Sequence, residues 1–378
     1  MKAYLDNGAT TKVDPEVAKA VVKYMTEEFG NAASLHSFGE KAGKALEDAR
    51  QTLAKALNAD PEEIVFTSGG TESDNLAIKG VAYLNKGNHI ITSKIEHHAV
   101  LNTCEELEKE GFSVTYLGVD SEGFVRPEQL EKSITDKTIL VTIMHANNEI
   151  GTILPIEEYS RICKKHNVLF HTDAVQSFTK VPIDVKKMDI DMLSATAHKI
   201  HGPKGIGILY VRKGVKLHRL MDGGSHEFKL RAGTQNVAGA AGFAKAVEII
   251  KKEDIDGMTK LRDRLISELL KIDCTRLNGS TNRLCNNANI TFEFIEGEAM
   301  LMMLNDKGIA VSTGSACTSK SLAPSHVLTA IGLSPELCHG SIRFTLSKYT
   351  TQEEIDYTIK AVKDVVAKLR EYSPLVKK

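Results

Sequence analysis

The chain lacks a surplus of charge of either sign. Its 378 residues carry 48 lysines and arginines against 49 aspartates and glutamates, so no broad field is available to hold nucleic acid or an anionic membrane. The six cysteines, at 104, 163, 274, 285, 317 and 338, include no CxxC pair. A zinc ribbon or thioredoxin-type couple is therefore not indicated, no metal site is expected, and reduced thiols in a cytoplasm fit best. There is no stretch of the roughly 18 apolar residues that a bilayer span needs, and the opening MKAYLDNGATT has no apolar signal core. These absences predict a soluble cytoplasmic protein that acts on small molecules, with no direct nucleic-acid or membrane partner.

What the chain does have is alternation. From residue 62 to about 212, β-rich runs such as EIVFTS, NHIITS, SVTYLGV, TILVTIM, VLFHTDA and GIGILYV are separated by amphipathic segments. That pattern predicts a mostly parallel sheet covered by helices, an α/β fold with ligands at the carboxyl ends of its strands. The length exceeds the roughly 250 to 300 residues at which single cores stop growing. We expect a large domain over 15–255 and a smaller α+β domain formed by 1–14 and 256–378. The last helix reads cleanly: Thr351 and Glu354 have capping-box spacing, and Ile355, Ile359, Val362, Val366 and Leu369 form one stripe.

The chemistry centres on Lys199, in DMLSATAHKIHGPKG, and Asp173, at the end of VLFHTDA. A lysine amine at one strand end and a carboxylate at another are what pyridoxal 5'-phosphate requires: an aldehyde-trapping amine and a partner for the pyridinium nitrogen. Gln176 can reach the ring hydroxyl from the same loop. Gly69, Gly70 and Thr71, in FTSGGTESDN, lead from strand into helix and can hold a phosphate. Thr196 and His198 are further phosphate donors. His97, in EHH after a strand, can lie on the cofactor ring and move protons, with His98 on the helix that follows. Arg343, on the apolar strand of GSIRFTLS, calls for an anion, and a substrate carboxylate suits its planar fork, with Asn148, in MHANNEIG, sharing both that carboxylate and the cofactor's ring oxygen. Cys317, in VSTGSACTSK, lies among small polar residues as a mobile, reactive thiol, whereas Cys104 and Cys163 read as buried.

From YLDNGATT to YSPL the chain resembles the cysteine desulfurases of the NifS/IscS type. The resemblance rests on SGGTESDNLAIKG, EHHAV, MHANNEIGT, HTDAVQS, AHKIHGPKG, RAGTQNV, STGSACTSK and SIRFTLS, in the family's order. It implies a fold-type I pyridoxal phosphate enzyme with a mostly parallel seven-stranded sheet, and a homodimer in which Thr234 reaches the neighbouring subunit's phosphate. It further implies that L-cysteine is converted to L-alanine, with the sulfur carried as a persulfide on Cys317 to acceptors such as an iron–sulfur scaffold or a tRNA-thiolation protein. Ala32, Ser225 and the Thr196–Ala197 pair depart from the common pattern. A selenocysteine lyase, C–S lyase or aminotransferase would keep Lys199 and Asp173 without needing Cys317, and a sulfur carrier or scaffold would keep the fold without turnover.

Overall fold

The computed structural model describes residues 1–313 and 324–373. The amino-terminal half runs β1 (Ala3–Tyr4), α1 (Pro15–Thr26), α2 (Ser37–Leu57), β2 (Ile64–Thr67), α3 (Gly70–Ala82), β3 (His89–Ser93), α4 (His98–Lys109), β4 (Ser113–Leu117), α5 (Pro127–Ser133), β5 (Thr138–Thr142) and α6 (Ile156–Lys165). It continues through β6 (Leu169–Asp173), β7 (Met192–Thr196), β8 (Gly207–Val211), α7 (Val237–Ile249), α8 (Lys252–Leu269), β9 (Thr275–Leu277) and β10 (Asn287–Phe292). Last come α9 (Gly297–Asp306), β11 (Ile309–Ala310), β12 (Ser312–Thr313), α10 (His326–Ala330), α11 (Pro335–His339), β13 (Ser341–Thr345) and α12 (Gln352–Tyr372). Among the described residues no helix is long and apolar enough to cross a membrane.

The seven-stranded sheet has the order β2-β8-β7-β6-β5-β3-β4. All its pairings are parallel except the two that β8 makes, with β2 and β7. Side chains alternate across it, as the strand period demands. Ile91, Val141, Leu193 and Ile208 enter one core with α2 and α6. Ile90, Leu140, Met192 and Leu209 enter another with α3 and α4. With both faces covered, the strands must be apolar throughout, which is why the sequence shows continuous runs in place of a polar alternation. Cys104 and Cys163 are buried on α4 and α6.

A separate core lies between α8, α9, α12 and the sheet β12-β13-β10-β9. The amino terminus joins it: β1 pairs in parallel with β11, and Asp6 bridges to Thr345. The capping box of α12 is present, and Ile355, Ile359, Val362 and Val366 are buried. Helices α10 and α11 follow a different course from the rest of the carboxyl-terminal third. Val327, Leu328, Ile331 and Cys338 pack into the large sheet's core.

Between β8 and α7 the backbone doubles back through Glu227, Phe228 and Lys229, with φ of 45°, 56° and 68°. Three successive non-glycine residues in the left-handed region are costly, on the order of 1 kcal/mol each or more. A buried ion pair holds them: Arg50 on α2 donates from Nη1 and Nη2 to Glu227 at 2.9 and 3.0 Å, and the Phe66 N–H donates to the same carboxylate at 2.9 Å. The guanidinium lies between the rings of Phe66 and Phe228, 4.8 and 5.0 Å from their centroids.

Glu96, fully buried, ties the exit of β3 to that of β5. Its carboxyl accepts from the Ser93 hydroxyl at 2.5 Å and from the Met144 N–H at 3.0 Å. Burial raises its pKa from the ordinary 4.5 to about 8, against those hydrogen bonds and with a further push from Asp173.

Two outcomes follow. Replacing Arg50 by Ala strands the Glu227 charge and should cost about 3 to 5 kcal/mol in urea unfolding of the cofactor-free protein. Because the folded pKa of Glu96 is raised, the stability that its protonated form confers is complete below about 4.5 and is lost as pH rises through about 8. The melting temperature of the native protein should therefore fall relative to that of Glu96→Gln as pH is raised through this window. A pH-independent difference would show that Glu96 ionises freely in the fold.

Candidate active site

The carboxyl ends of β2, β3, β5, β6 and β7 meet at a cavity of about 320 Å³, where open α/β sheets place ligands. Asp173 is the last residue of β6, and its neighbour β7 leads through Thr196 into a single turn carrying His198 and Lys199. Gly70 and Thr71 open α3, His97 caps α4, and Asn148 lies in the loop after β5. Arg343 comes from β13 on the other sheet. All of these residues, together with Gln176, line the one cavity. Thr234 does not; it is exposed. Cys317 lies outside the described residues.

The Lys199 Nζ donates to the carbonyls of Gly8 and Ala9 at 2.5 and 2.8 Å. Gln176 Nε2 donates to Gly8 O at 3.1 Å, and Thr11 donates from both N and Oγ1 to His198 O. The amino-terminal segment thus crosses the site floor. The sequence reading assigned these residues only to the smaller domain and missed that they form part of the cavity.

Asp173 is buried, with Oδ1 accepting the Val175 N–H at 2.8 Å. Burial lifts its pKa to about 6, against that hydrogen bond and the charge of Lys199. Asp74 lies near it on α3, pushed well above the ordinary range by burial and then by Asp173. Its Oδ1 has no hydrogen-bond partner among the described residues. Two neighbouring buried carboxyls resist ionising together. Asp74 holds its proton, which leaves Asp173 as the carboxylate that a cation entering the cavity would meet. The sequence carried a signal for Asp74: with Ala77, Ile78 and Val81 it falls on one buried helical face, a poor place for a free charge.

Burial holds His97 and His198 neutral at physiological pH. His97 Nδ1 accepts the Ala99 N–H at 3.1 Å, which places the ring proton on Nε2. Burial, then the charge of Lys199, lowers its pKa to about 4. The same two causes, in the same order, bring His198 to about 4, and its Nδ1 is 3.2 Å from Thr10 Oγ1. The Thr196 hydroxyl donates to Ile206 O at 3.1 Å; it would have to turn to donate to a phosphate.

Glu149 and His326 also line the cavity and were not singled out from the sequence. Burial raises Glu149 to about 7, opposed by the Ser325 hydroxyl that donates to it at 2.5 Å and by Arg343. His326 packs 4.8 Å from His98 and shares a 2.9 Å hydrogen bond with Glu96 O. His98 is the first residue of α4, as expected, but it faces the cavity.

These groups fit pyridoxal phosphate. Among the described residues the buried Asp173 has no cationic hydrogen-bond partner and the buried Asn148 Oδ1 has no partner at all, and Lys199 stands in the same cavity. The first turn of α3 has N–H groups with no helical acceptor, suited to a phosphate. The helix start runs close to the loop after β6: a Cβ on Gly70 would stand 2.6 Å from Val175 Cγ2, so a larger residue there would have to displace that side chain.

Comparison with known proteins gives the same assignment. The family model of aminotransferase class-V matches residues 3–358. A protein named cysteine desulfurase IscS from Methanosarcina thermophila is 55% identical over 99% of this chain and 94% of its own length. One of the same name from Dictyoglomus turgidum is 53% identical over 99% and 96%. Among solved structures, a NifS-like protein superposes with a TM-score of 0.92 at 42% identity, covering 98% of this chain and all of its own. SspA in complex with cysteine gives 0.85 at 41% identity, covering 93% and 100%. The chain therefore belongs to the class-V aminotransferase family, which depends on pyridoxal phosphate, and within it to the cysteine desulfurases.

Proposed function

We propose that this chain converts L-cysteine and the Cys317 thiol into L-alanine and a Cys317 persulfide, then passes the outer sulfur to an acceptor. The atoms balance: one C–S bond breaks, one S–S bond forms, and the thiol hydrogen remains with the products. The observation that carries the reading is the convergence of Lys199, the Asp173 carboxylate and Arg343 in one cavity. Pyridoxal phosphate, when bound, supplies an electron sink that makes the substrate's Cα–H acidic.

The remaining roles fall to the chain. Asp173 balances the pyridinium charge, and Asn148 and Gln176 serve the ring oxygen. Gly70, Thr71, Thr196 and His198 hold the phosphate. Arg343 orients the substrate carboxylate, aided by Asn148. Lys199 Nζ takes the Cα proton and returns it elsewhere. His97 relays protons through Nε2; its lowered pKa keeps it neutral, and therefore able to accept one, at physiological pH.

We also read the working form as a homodimer in which Thr234 serves the partner's phosphate. Its exposure beside a loop tied to α3 by the 2.9 Å Arg231–Glu72 pair supports this. So does an apolar surface nearby: Phe29, Leu35 and Phe38 are exposed, at the start of α2, which packs against Val237. The acceptor is an iron–sulfur scaffold or a tRNA-thiolation protein, reached in a reducing cytoplasm.

The test is product analysis with L-cysteine. The native enzyme should release alanine and, with a reductant, sulfide. Cys317→Ala should stay yellow, respond spectrally to L-cysteine, and lose at least about a hundredfold in alanine formation. Pyruvate as the main product, or undiminished turnover by Cys317→Ala, would overturn the persulfide reading.

A further inference from the structure

The guanidinium of Arg343 is held from two sides before any substrate arrives. Nη1 donates to Asn148 O and Nη2 to Asp6 Oδ1, each at 3.1 Å. Nε is buried with no hydrogen-bond partner among the described residues. Asp6 is itself fixed on β13, the strand that carries Arg343. Its backbone bridges to Thr345, the Asn7 side chain donates to Thr345 O at 2.8 Å, and the Gly8 N–H donates to Thr345 Oγ1 at 2.6 Å. Gly8 closes the other side, since a Cβ there would lie 3.4 Å from Arg343 Cζ. Two of five N–H donors are thereby committed, and the others are left without a partner among the described residues on a guanidinium that lines the cavity.

We propose that Asp6 is a positioning residue for the substrate: acting through Arg343, it aims the open edge of the guanidinium at the carboxylate of an α-amino acid. The proposal rests on the reading that Arg343 binds that carboxylate. Asp6 could instead act as a competitor, weakening substrate binding by neutralising the arginine. Burial decides between the two. The Asp6 side chain is 22% exposed against 4% for Arg343, so water screens its charge, whereas its geometric hold is not screened. A long side chain freed from that hold regains rotamers and loses alignment, and small misplacements of a bound group are costly.

The experiment uses the full-length, cofactor-loaded enzyme. Asp6→Ala should raise KM for L-cysteine about tenfold, the scale of one hydrogen bond to a charged group, while kcat changes much less. Asp6→Asn keeps an acceptor oxygen and should restore most of the loss. Two binding probes, read by the cofactor's absorbance, separate positioning from general damage. L-Alanine, which has the carboxylate, should bind Asp6→Ala about tenfold more weakly. Cysteamine, which is cysteine without its carboxylate, should bind unchanged. A KM that falls or stays constant, or equal weakening of both probes, overturns the proposal. Arg343→Lys is the control for the underlying reading: if it binds L-alanine as well as the native enzyme does, Arg343 is not the carboxylate site and the role of Asp6 falls with it.

Discussion

Everything in the site depends on balancing charge where water is scarce. Asp74, Glu96 and Asp173 are carboxyls buried near one another at the carboxyl edge of a single sheet. No protein of this size could keep all of them ionised there, because each unpaired buried charge costs several kcal/mol. Burial favours the protonated form of Asp74 and Glu96, and the remaining negative charge falls on Asp173, which has no cationic hydrogen-bond partner among the described residues and faces the cavity. The neutral histidines follow from the same scarcity of water. His171, beneath the site, is pushed by burial to about 3 and serves as a hydrogen-bond bridge between Thr142 and Ser194, at 2.8 and 3.0 Å. The site thus presents a buried carboxyl at one place and a guanidinium at another, both lining one cavity.

Much of this was legible in the sequence because buried parallel strands declare themselves. VLFHTDA and TILVTIM cannot be amphipathic when helices cover both faces, and the polar residue that ends each run marks the ligand edge. Lys199, Asp173, His97, Asn148, Gln176 and Arg343 were read from that rule and from the family's motifs, and they do line one cavity. Asp74 was legible in principle, as a carboxylate on an otherwise apolar helical face. The floor built by Gly8 and Ala9 was not. Those residues contribute carbonyl oxygens, which every residue type possesses, and their closeness to Lys199 spans about 190 positions. No local period can announce such a contact. Glu149 was hidden for a related reason: its neighbours come from far along the chain, Ser325 at the start of α10 in the large core and Arg343 on β13 of the second. Helices α10 and α11 packed with the large sheet because Val327, Leu328 and Ile331 find their apolar partners there, a choice between two cores that composition does not reveal.

The cavity needs both cores in register, since Lys199 follows a strand of one sheet and Arg343 lies on the other. The seam between them is made largely of amides. Asn147 caps the turn after β5, donating to Ile95 O at 2.8 Å and accepting from the N–H groups of Glu149 and Ile150. Asn287 and Asn289 on β10 both donate to Glu149 O at 3.2 Å. Asn278 extends the network to Asn289 and Thr291. Amides donate and accept without titrating, so this seam keeps its geometry across the pH range in which the acids of the floor change state.

Besides the Asp6–Arg343 pair, a second charged contact joins the chain's ends, and it obeys the same logic. Asp14 is held by Lys348 and Tyr349, at 2.6 and 2.5 Å. Against burial, which would raise it, these hydrogen bonds keep its carboxyl down at about 2. It therefore stays ionised wherever the enzyme is folded and working, and behaves as a fixed strut. Tyr349 also packs edge-on against His201, ring centroids 5.2 Å apart, two residues beyond Lys199. The consequence is a partial separation by chemistry: the amides of the seam and the Asp14 carboxylate hold position in a state that ordinary pH does not change, whereas Glu96, which ties β3 to β5, lends its hold only while protonated.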